Sequence, residues 1–316
     1  MGRMSADRMV VRLAGDGSRR RRPDTVAVEE PLELRLAGTP FTVTMRTPGA
    51  DFDLAAGFLV SEGIVWRRED VAAMRTCVGD AGGGVGGSSR LDIVLAPHVR
   101  VPDAGLVRAF PTSSACGVCG KDALDAVTTW SSFPVGDDPL VVDPAVLCAL
   151  PGRLRSEQAV FDRTGGLHAA AIFDGKSGAL LVLREDVGRH NAVDKVVGWA
   201  LREGRLPLAG NVLLVSGRAS FELVQKAGMA GIPFLAAVSA PSSLAVDLAT
   251  TMGMSLVGFL RDPSMVVYSG AHRVGAPAAV HGPHREGPHQ EGPHREGPHR
   301  EGPHREGRDH EARRTA

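Results

Sequence analysis

Apolar and polar positions alternate along the chain with two different periods, and nearly all of that periodicity lies within residues 26–273. Residues 26–36 and 41–46 read as two strands around the turn Ala37-Gly38-Thr39-Pro40. Within 51–62, Leu54, Ala55, Phe58 and Leu59 recur at helical spacing, and Gly63 follows as a stop. The glycine-rich stretch 81–89 predicts a loop, and 91–95 a short strand. Farther on, 167–173 and 179–184 are apolar runs joined by Asp174-Gly175-Lys176-Ser177-Gly178, which predicts a hairpin. Residues 187–202 predict a helix that buries Val193, Val196, Val197, Ala200 and Leu201, with Asn191, Asp194 and Lys195 on its other face. Strands at 211–216, 233–239 and 254–260 then alternate with helices at 220–230 and 242–252. Strand, helix, strand, helix, strand with short links is the pattern of a parallel sheet, so the expected fold class is α/β. Ligands of such sheets bind where strands end and helices begin. Those points are Ser216-Gly217-Arg218, Ser239-Ala240-Pro241-Ser242 and Arg261-Asp262.

The flanks differ in composition. Residues 1–25 are polar and arginine-rich, and are expected to be disordered. From Gly282 the chain repeats the pentad GPHRE, once as GPHQE, before decaying to GRDHE. Each pentad holds a glycine and a proline and no large apolar group, so burial cannot offset its ordering entropy. Residues 276–316 are therefore expected to be a disordered tail, whose histidines offer at most weak metal binding. Between the flanks the expected division is a smaller N-terminal α+β domain over 26–110 and a C-terminal α/β domain over 111–275.

Composition then excludes several functions. Of 316 residues, 43% are hydrophobic and 23% charged, which is a soluble globular balance. Lys plus Arg and Asp plus Glu are both 36, so no net field attracts nucleic acid or an anionic membrane. With 4% aromatic residues, a base-stacking platform for nucleic acid is not expected. No run approaches the roughly 18 apolar residues of a membrane span. The first 25 residues have no apolar h-region, so a cytoplasmic protein with reduced thiols is expected. Four cysteines in this length are not a disulfide scaffold.

Three segments carry chemistry. The first is Ser113-Ser114-Ala115-Cys116-Gly117-Val118-Cys119-Gly120-Lys121. Two cysteines at this spacing can share a metal, form a reversible disulfide or carry a persulfide. Structural zinc needs two further ligands, and only Cys77 and Cys148 remain, each alone. The nucleobase-deaminase metal site is also missing, because Ala115 stands before Cys116 and no H-x-E lies upstream. No metal site is therefore assigned. The run before Cys116 is not a strand, which argues against a thioredoxin-like arrangement. Serine and glycine neighbours read as an exposed, mobile loop, and 121–127 as a helix start. A thiol there, near Lys121, has a lowered pKa and is a better nucleophile. The second segment is Arg184-Glu185-Asp186-Val187-Gly188-Arg189-His190-Asn191-Ala192-Val193-Asp194-Lys195, at a strand-to-helix junction. Either it is a solvated helix start, or Arg184 and Arg189 grip a phosphate; His190 is a proton donor or a satisfied core group. The third is Ser216-Gly217-Arg218-Ala219-Ser220. Gly217 allows close backbone approach, and Ser220 is placed to cap the following helix, whose N-terminus favours an anion.

Taken together, these segments resemble the FdhD family of formate dehydrogenase accessory sulfurtransferases. The matching runs are Glu29-Glu30-Pro31-Leu32, Met45-Arg46-Thr47-Pro48-Gly49, Gly57-Phe58-Leu59 with Ser61-Glu62-Gly63, and the Ser114 to Lys121 run. They continue through Arg163-Thr164-Gly165-Gly166-Leu167-His168, the Glu185 to Lys195 run, the Leu214 to Phe221 run and Val257-Gly258-Phe259. Residues 50–53 look less acidic than the family pattern, loop 81–89 looks like an insertion, and the histidine-rich tail lies outside the pattern. The resemblance implies a cytidine-deaminase-like α/β fold without the zinc. It implies a sulfur carrier that takes a persulfide from a cysteine desulfurase. The sulfur then goes to the molybdenum (or tungsten) bis(molybdopterin guanine dinucleotide) cofactor of formate dehydrogenase. It places the persulfide on Cys116 with Cys119 as partner, puts the cofactor against Phe259-Leu260-Arg261-Asp262-Pro263-Ser264, and suggests a homodimer. With Ser216, Gly217 and Arg218 added from the strand-end argument, Arg218 and Arg261 are expected to meet phosphate and Asp262 the guanine. If they do not, the junction 184–195 is the expected alternative. A different reading is a non-catalytic chaperone that binds cofactor and client, its cysteines only metal-binding or redox-sensing.

Overall fold

The computed structural model describes residues 3–77, 89–100 and 131–275. A six-stranded sheet forms its centre. It is built from β7 (His168–Asp174), β8 (Leu180–Asp186), β9 (Asn211–Val215), β10 (Phe234–Ala237), β11 (Ser255–Arg261) and β12 (Ser264–Ser269), in the order β12-β11-β10-β9-β7-β8. β9, β10 and β11 run parallel, as the strand-helix rhythm predicts. β7, β8 and β12 join by antiparallel pairing. The sheet is covered on both faces, so its strands read as nearly continuous apolar runs. Alternation still decides which face each residue serves. Ala170, Ile172, Leu213, Val215, Leu235, Ala237 and Leu256 enter one core cluster. Ala169, Ala171, Phe173, Val212, Leu214, Phe234, Ala236 and Val257 enter the other.

The first face carries α1 (Asp51–Ser61), α4 (Arg189–Arg202), α5 (Phe221–Met229) and α6 (Ser243–Thr251). Beyond α1 and α4 lies a four-stranded sheet in the order β4-β3-β6-β5, from β3 (Glu30–Leu36), β4 (Thr39–Arg46), β5 (Val71–Cys77) and β6 (Ser89–Leu95). Leu32, Leu34, Leu36, Leu91 and Ile93 of this sheet belong to the same cluster as the central strands. The two expected domains therefore share one core, and Met1–Pro277 form one compact unit. The expected 110/111 boundary and the 276–316 tail fall outside the described residues.

α1 and α4 cross at two glycines. A Cβ on Gly57 would fall inside the Asp194 carbonyl, and one on Gly198 inside the Asp53 carbonyl. Only backbone fits at this crossing.

The second face is covered by α2 (Pro144–Ser156), a helix missing from the sequence expectations. Pro151 and Gly152 inside it read as breakers. The structure shows what outweighs them. Asp143 caps Ala145 N at 2.7 Å, Pro144 opens the helix, and Leu147, Leu150 and Leu154 bury one stripe against the sheet. A short α3 (Ala159–Thr164) follows.

Residues 5–27 also differ from expectation. In place of a disordered segment the chain forms β1 (Ser5–Leu13) and β2 (Arg19–Ala27), an antiparallel ribbon. Alternating Met9, Val11 and Leu13 and an Asp16-Gly17 turn supply the hairpin signal that the arginine content masks. At the turn, Asp16 Oδ1 accepts from Ser18 N at 2.8 Å. The strand read as 26–36 is thus divided between two sheets.

Among the described residues no helix is long and apolar enough to cross a membrane.

Candidate functional site

The ends of β9, β10 and β11 stay laced together beyond the strands. Ser239 N donates to Gly217 O at 3.3 Å, Ala219 N to Ala240 O at 3.2 Å, and Phe259 N to Ser239 O at 3.1 Å. Ser216-Gly217-Arg218, Ser239 and Phe259 therefore form one shelf at the carboxyl ends of the parallel strands. Ser216 is anchored there, its Oγ accepting from Ala169 N at 2.9 Å. Arg218 is exposed.

Phe259 has φ of 49° and is 41% exposed. A side chain in the left-handed region is strained, and here the strain holds an aromatic ring out to solvent. Leu260 is buried in the second core cluster, so its side chain anchors the segment and does not meet a ligand. Arg261, Asp262, Pro263 and Ser264 are exposed at the tip of the β11–β12 hairpin. Asp262 acts toward the other face of the sheet: together with burial it raises the thiol pKa of Cys148 on α2. A thiol so disfavoured as thiolate is a poor sulfur nucleophile. Cys116 and Cys119 lie outside the described residues.

The charged junction at 184–195 divides into two parts. Most of it clamps the N-terminal segment to the central sheet. Arg184 Nε and Nη2 donate to Asp53 Oδ2 at 3.1 and 2.8 Å, and Arg202 pairs with the other oxygen. Arg184 therefore has no free fork, and of the two readings open for it the grip on a phosphate falls away. Glu185 accepts from Val160 N at 3.0 Å and Phe161 N at 2.8 Å, capping α3. Asp186, fully buried, sits 2.6 Å from Lys195 Nζ and accepts from Thr47 N at 3.1 Å and Gly188 N at 2.8 Å. Lys195 also donates to Thr47 O at 2.9 Å, and Asn191 to Met45 O at 2.8 Å. Asp194 accepts from Ser61 Oγ at 2.7 Å and from Lys226. These groups hold the Met45 to Thr47 stretch in place.

Arg189 and His190, in the first turn of α4, take no part in this clamp. Among the described residues Arg189 Nε is buried and finds no hydrogen-bond partner, and the guanidinium charge acts on Glu222 and His168. His190 Nε2 lies 2.6 Å from Glu222 Oε2 on α5, an ion-pair approach whose angles do not meet those of a hydrogen bond. This approach holds the Glu222 carboxyl below its ordinary pKa against the opposing effect of burial, and Lys226 and Arg189 add to it. Ser220 stands at the N-cap of α5, yet its hydroxyl makes no cap hydrogen bond, contrary to expectation.

His168 completes the cluster. A Cβ on Gly217 would lie 3.4 Å from its Nδ1, and it pairs across β8 with Asp186. Burial, with Arg189 and His190 nearby, keeps its imidazole below the ordinary pKa, and Asp186 opposes this. Sequence reasoning assigned His168 no role. Its position beside Gly217 follows from antiparallel pairing of β7 with β9, which no local pattern shows. Among the described residues no group of three or more His, Cys, Asp or Glu side chains could hold a metal ion. A cavity of about 400 Å³ lined by Phe52, Arg68, Met74 and Leu201 lies at the other end of α4. That is roughly 20 Å from Arg189, and it takes in none of the shelf residues.

Comparison with known proteins bears on the whole arrangement. The FdhD/NarQ family matches residues 27–275. The chain is 58% identical over 281 residues to the sulfur carrier protein FdhD of Streptomyces coelicolor, covering 89% of this chain and 99% of that one. It is 57% identical over 277 residues to the protein of the same name in Mycobacterium tuberculosis, covering 87% and 100%. The fold is similar to the crystal structure of a protein from Desulfotalea psychrophila described as a formate dehydrogenase accessory protein. There the TM-score is 0.66 at 23% identity, over 86% of this chain and all of that one.

Proposed function

Because this chain belongs to the FdhD/NarQ family, we propose that it is a sulfur carrier that serves formate dehydrogenase. In this reading a cysteine desulfurase supplies the sulfur. The acceptor is the molybdenum bis(molybdopterin guanine dinucleotide) cofactor, bound as a substrate before it enters formate dehydrogenase. The observation that carries the reading is the family match, which runs on both sides of Cys116-Gly117-Val118-Cys119.

The chemistry balances with these two thiols. The Cys116 thiolate attacks the outer sulfur of the desulfurase persulfide, and the donor cysteine leaves as thiolate. For delivery, the Cys119 thiolate attacks Cys116 Sγ. The bond from Sγ to the outer sulfur breaks, and that sulfur leaves as sulfide for the metal. A Cys116–Cys119 disulfide remains, which a cellular dithiol reduces for the next cycle. Cys148 is unsuited to the role, since burial and Asp262 disfavour its thiolate.

Incubation with a desulfurase and cysteine, followed by mass spectrometry, should show an adduct of about 32 Da, one sulfur atom, on Cys116. Cys116→Ala should abolish activation of formate dehydrogenase in cells that depend on this protein, and Cys119→Ala should reduce it less. Full activation by the Cys116 variant would remove the persulfide mechanism and favour a cofactor chaperone.

A further inference from the structure

Pairing in the β1–β2 ribbon fixes which side chains share a face, because residues directly opposite point the same way and successive ones alternate. Met9 lies opposite Pro23, Val11 opposite Arg21, and Leu13 opposite Arg19. One face therefore carries an apolar strip edged by two arginines. The other carries Arg8, Arg12, Arg20 and Arg22. Met9, Val11 and Leu13 are each more than half exposed, and none joins either core cluster. A two-stranded ribbon is marginal by itself, and a strip of large apolar side chains offered to water marks an interaction surface.

We propose that this face of the ribbon is a docking arm for the client formate dehydrogenase, fitting an apolar strip rimmed by carboxylates on that enzyme. The proposal rests on the sulfur-carrier reading for the identity of the client, and on the ribbon for the place and the chemistry. Charge selects the occupant. The ribbon holds six arginines against Asp7, Asp16 and Asp24, in a chain whose basic and acidic residues both number 36, so the remainder is net acidic. The three aspartates are engaged within the ribbon. Asp7 Oδ1 accepts from Thr25 Oγ1 at 2.9 Å, Asp16 Oδ1 accepts from Ser18 N at 2.8 Å, and Asp24 lies 3.7 Å from Arg22. Among the described residues Arg12, Arg19, Arg20 and Arg21 have no carboxylate partner. A second copy of this chain would bring a second set of unpaired arginines to the same seam, which opposes ribbon-to-ribbon pairing. A nucleic acid would take the four-arginine face and leave the apolar strip in water. A carboxylate-rimmed apolar surface satisfies strip and arginines together, and Met and Arg are side chains that interfaces favour.

Position supports the assignment. Val28 N donates to Met4 O at 3.0 Å at the root of the ribbon, and β2 lies against α3. A Cβ on Gly166 would lie 3.6 Å from Ala27 Cβ, and two residues later His168 opens β7 beside Gly217 of the shelf. Nine residues per strand span about 30 Å from that root. An enzyme held by the arm is thus tethered within that distance of the shelf end. The family match begins at residue 27, where the ribbon ends. Under the sulfur-carrier reading, sulfur uptake belongs to the matched segment, which holds Cys116. An element outside it suits a partner particular to this chain, the client and not the sulfur donor.

Calorimetry between the full chain and its formate dehydrogenase, purified from cells that lack this chain, tests the arm. Arg19→Glu with Arg21→Glu, and Val11→Ser with Leu13→Ser, should each weaken binding by about tenfold or more. Rising salt should weaken binding of the wild type. Arg12→Glu with Arg20→Glu makes the same charge change on the opposite face and should weaken binding clearly less. All three variants should keep the wild-type Tm and load sulfur on Cys116 from the desulfurase as the wild type does. Equal losses from both arginine pairs with none from the apolar pair, together with binding to a DNA duplex, would give the ribbon to nucleic acid and overturn the arm. Self-association that Val11→Ser with Leu13→Ser abolishes would give it to a second copy, and lost sulfur loading in the arm variants would give it to the desulfurase; each overturns the proposal. A wild type that loads sulfur but does not bind the enzyme, or arm variants that bind it as the wild type does, would overturn the arm and leave the sulfur-carrier reading intact. A wild type that binds through the arm while Cys116 takes no sulfur would sink the sulfur-carrier reading and leave the arm standing.

Discussion

At the scale of single residues, the charged junction at 184–195 illustrates what a sequence withholds. Its charge density and its place at a strand end are legible, and both point to function. The assignment of each charge is not legible, because the partners lie far away in the chain. Arg184 is satisfied by Asp53, and Lys195 and Asn191 by the Met45 to Thr47 backbone. Those distant partners separate the clamp residues from Arg189, whose Nε finds no hydrogen bond among the described residues, and from His190, which faces Glu222. The clamp centres on Asp186 and Lys195, both almost fully buried and 2.6 Å apart. Removing one member of such a pair strands the other charge in the interior, at about 3–5 kcal/mol. Lys195→Met should therefore lower stability by that order in denaturant unfolding. The double variant Asp186→Leu with Lys195→Met should recover part of the loss, since no bare charge remains, although Thr47 N and Gly188 N lose an acceptor. A double variant less stable than the wild type by the sum of the two single-variant losses would show that the pair is not acting as a unit.

At the scale of elements, periodicity located most of the central sheet and its helices, and it failed where composition hid it. The parallel strands were legible because burial on both faces writes long apolar runs into β9, β10 and β11. α2 was hidden by Pro151, although its Asp143 cap and its leucine stripe are both present in the sequence. The β1–β2 ribbon was hidden by arginines around an ordinary Asp-Gly turn. The α1–α4 crossing was legible only as two unremarked glycines inside predicted helices. A glycine inside a helix costs about 1 kcal/mol against alanine, so two facing each other need a packing reason. That reason is the contact of Gly57 with the Asp194 carbonyl and of Gly198 with the Asp53 carbonyl. Gly57→Ala should thus destabilise the fold by several kcal/mol, although alanine is the better helix former, because backbone must move apart on both sides. A raised Tm in Gly57→Ala would mean that the two helices are free to separate. The same crossing carries Asp53 and Asp194, so the variant should also disturb the clamp that positions α4 and Arg189 at its start.

At the scale of the whole molecule, one core unites what the sequence divided in two. The N-terminal four-stranded sheet contributes Leu32, Leu34, Leu91 and Ile93 to the same cluster as the central strands. The reason is visible in α1 and α4, which lie between the sheets and are apolar toward both. The expected division at 110 set the cysteine-pair segment at the start of a second domain, and the order of segments along a chain shows nothing of which helices are shared. The other boundary rests on a stronger physical argument. The family match ends at residue 275, the compact unit ends at Pro277, and the pentads begin at Gly282. Each pentad lacks a large apolar group, so its removal takes no apolar area from the core. Arg273 shows how the core is closed before that point. Its guanidinium donates to Asp138 O at 3.0 Å, Val135 O at 3.0 Å, Gly136 O at 2.6 Å and Gly253 O at 2.7 Å, fastening the end of the fold to two loops. A chain ending after Gly275 should therefore keep its Tm within the error of a thermal scan and load sulfur on Cys116 at the wild-type rate. A chain cut one step earlier, before Arg273, should lose several of these bonds at once and melt clearly lower. If the shorter cut were harmless, or the longer chain lost stability, the fold would close at some other point than Arg273.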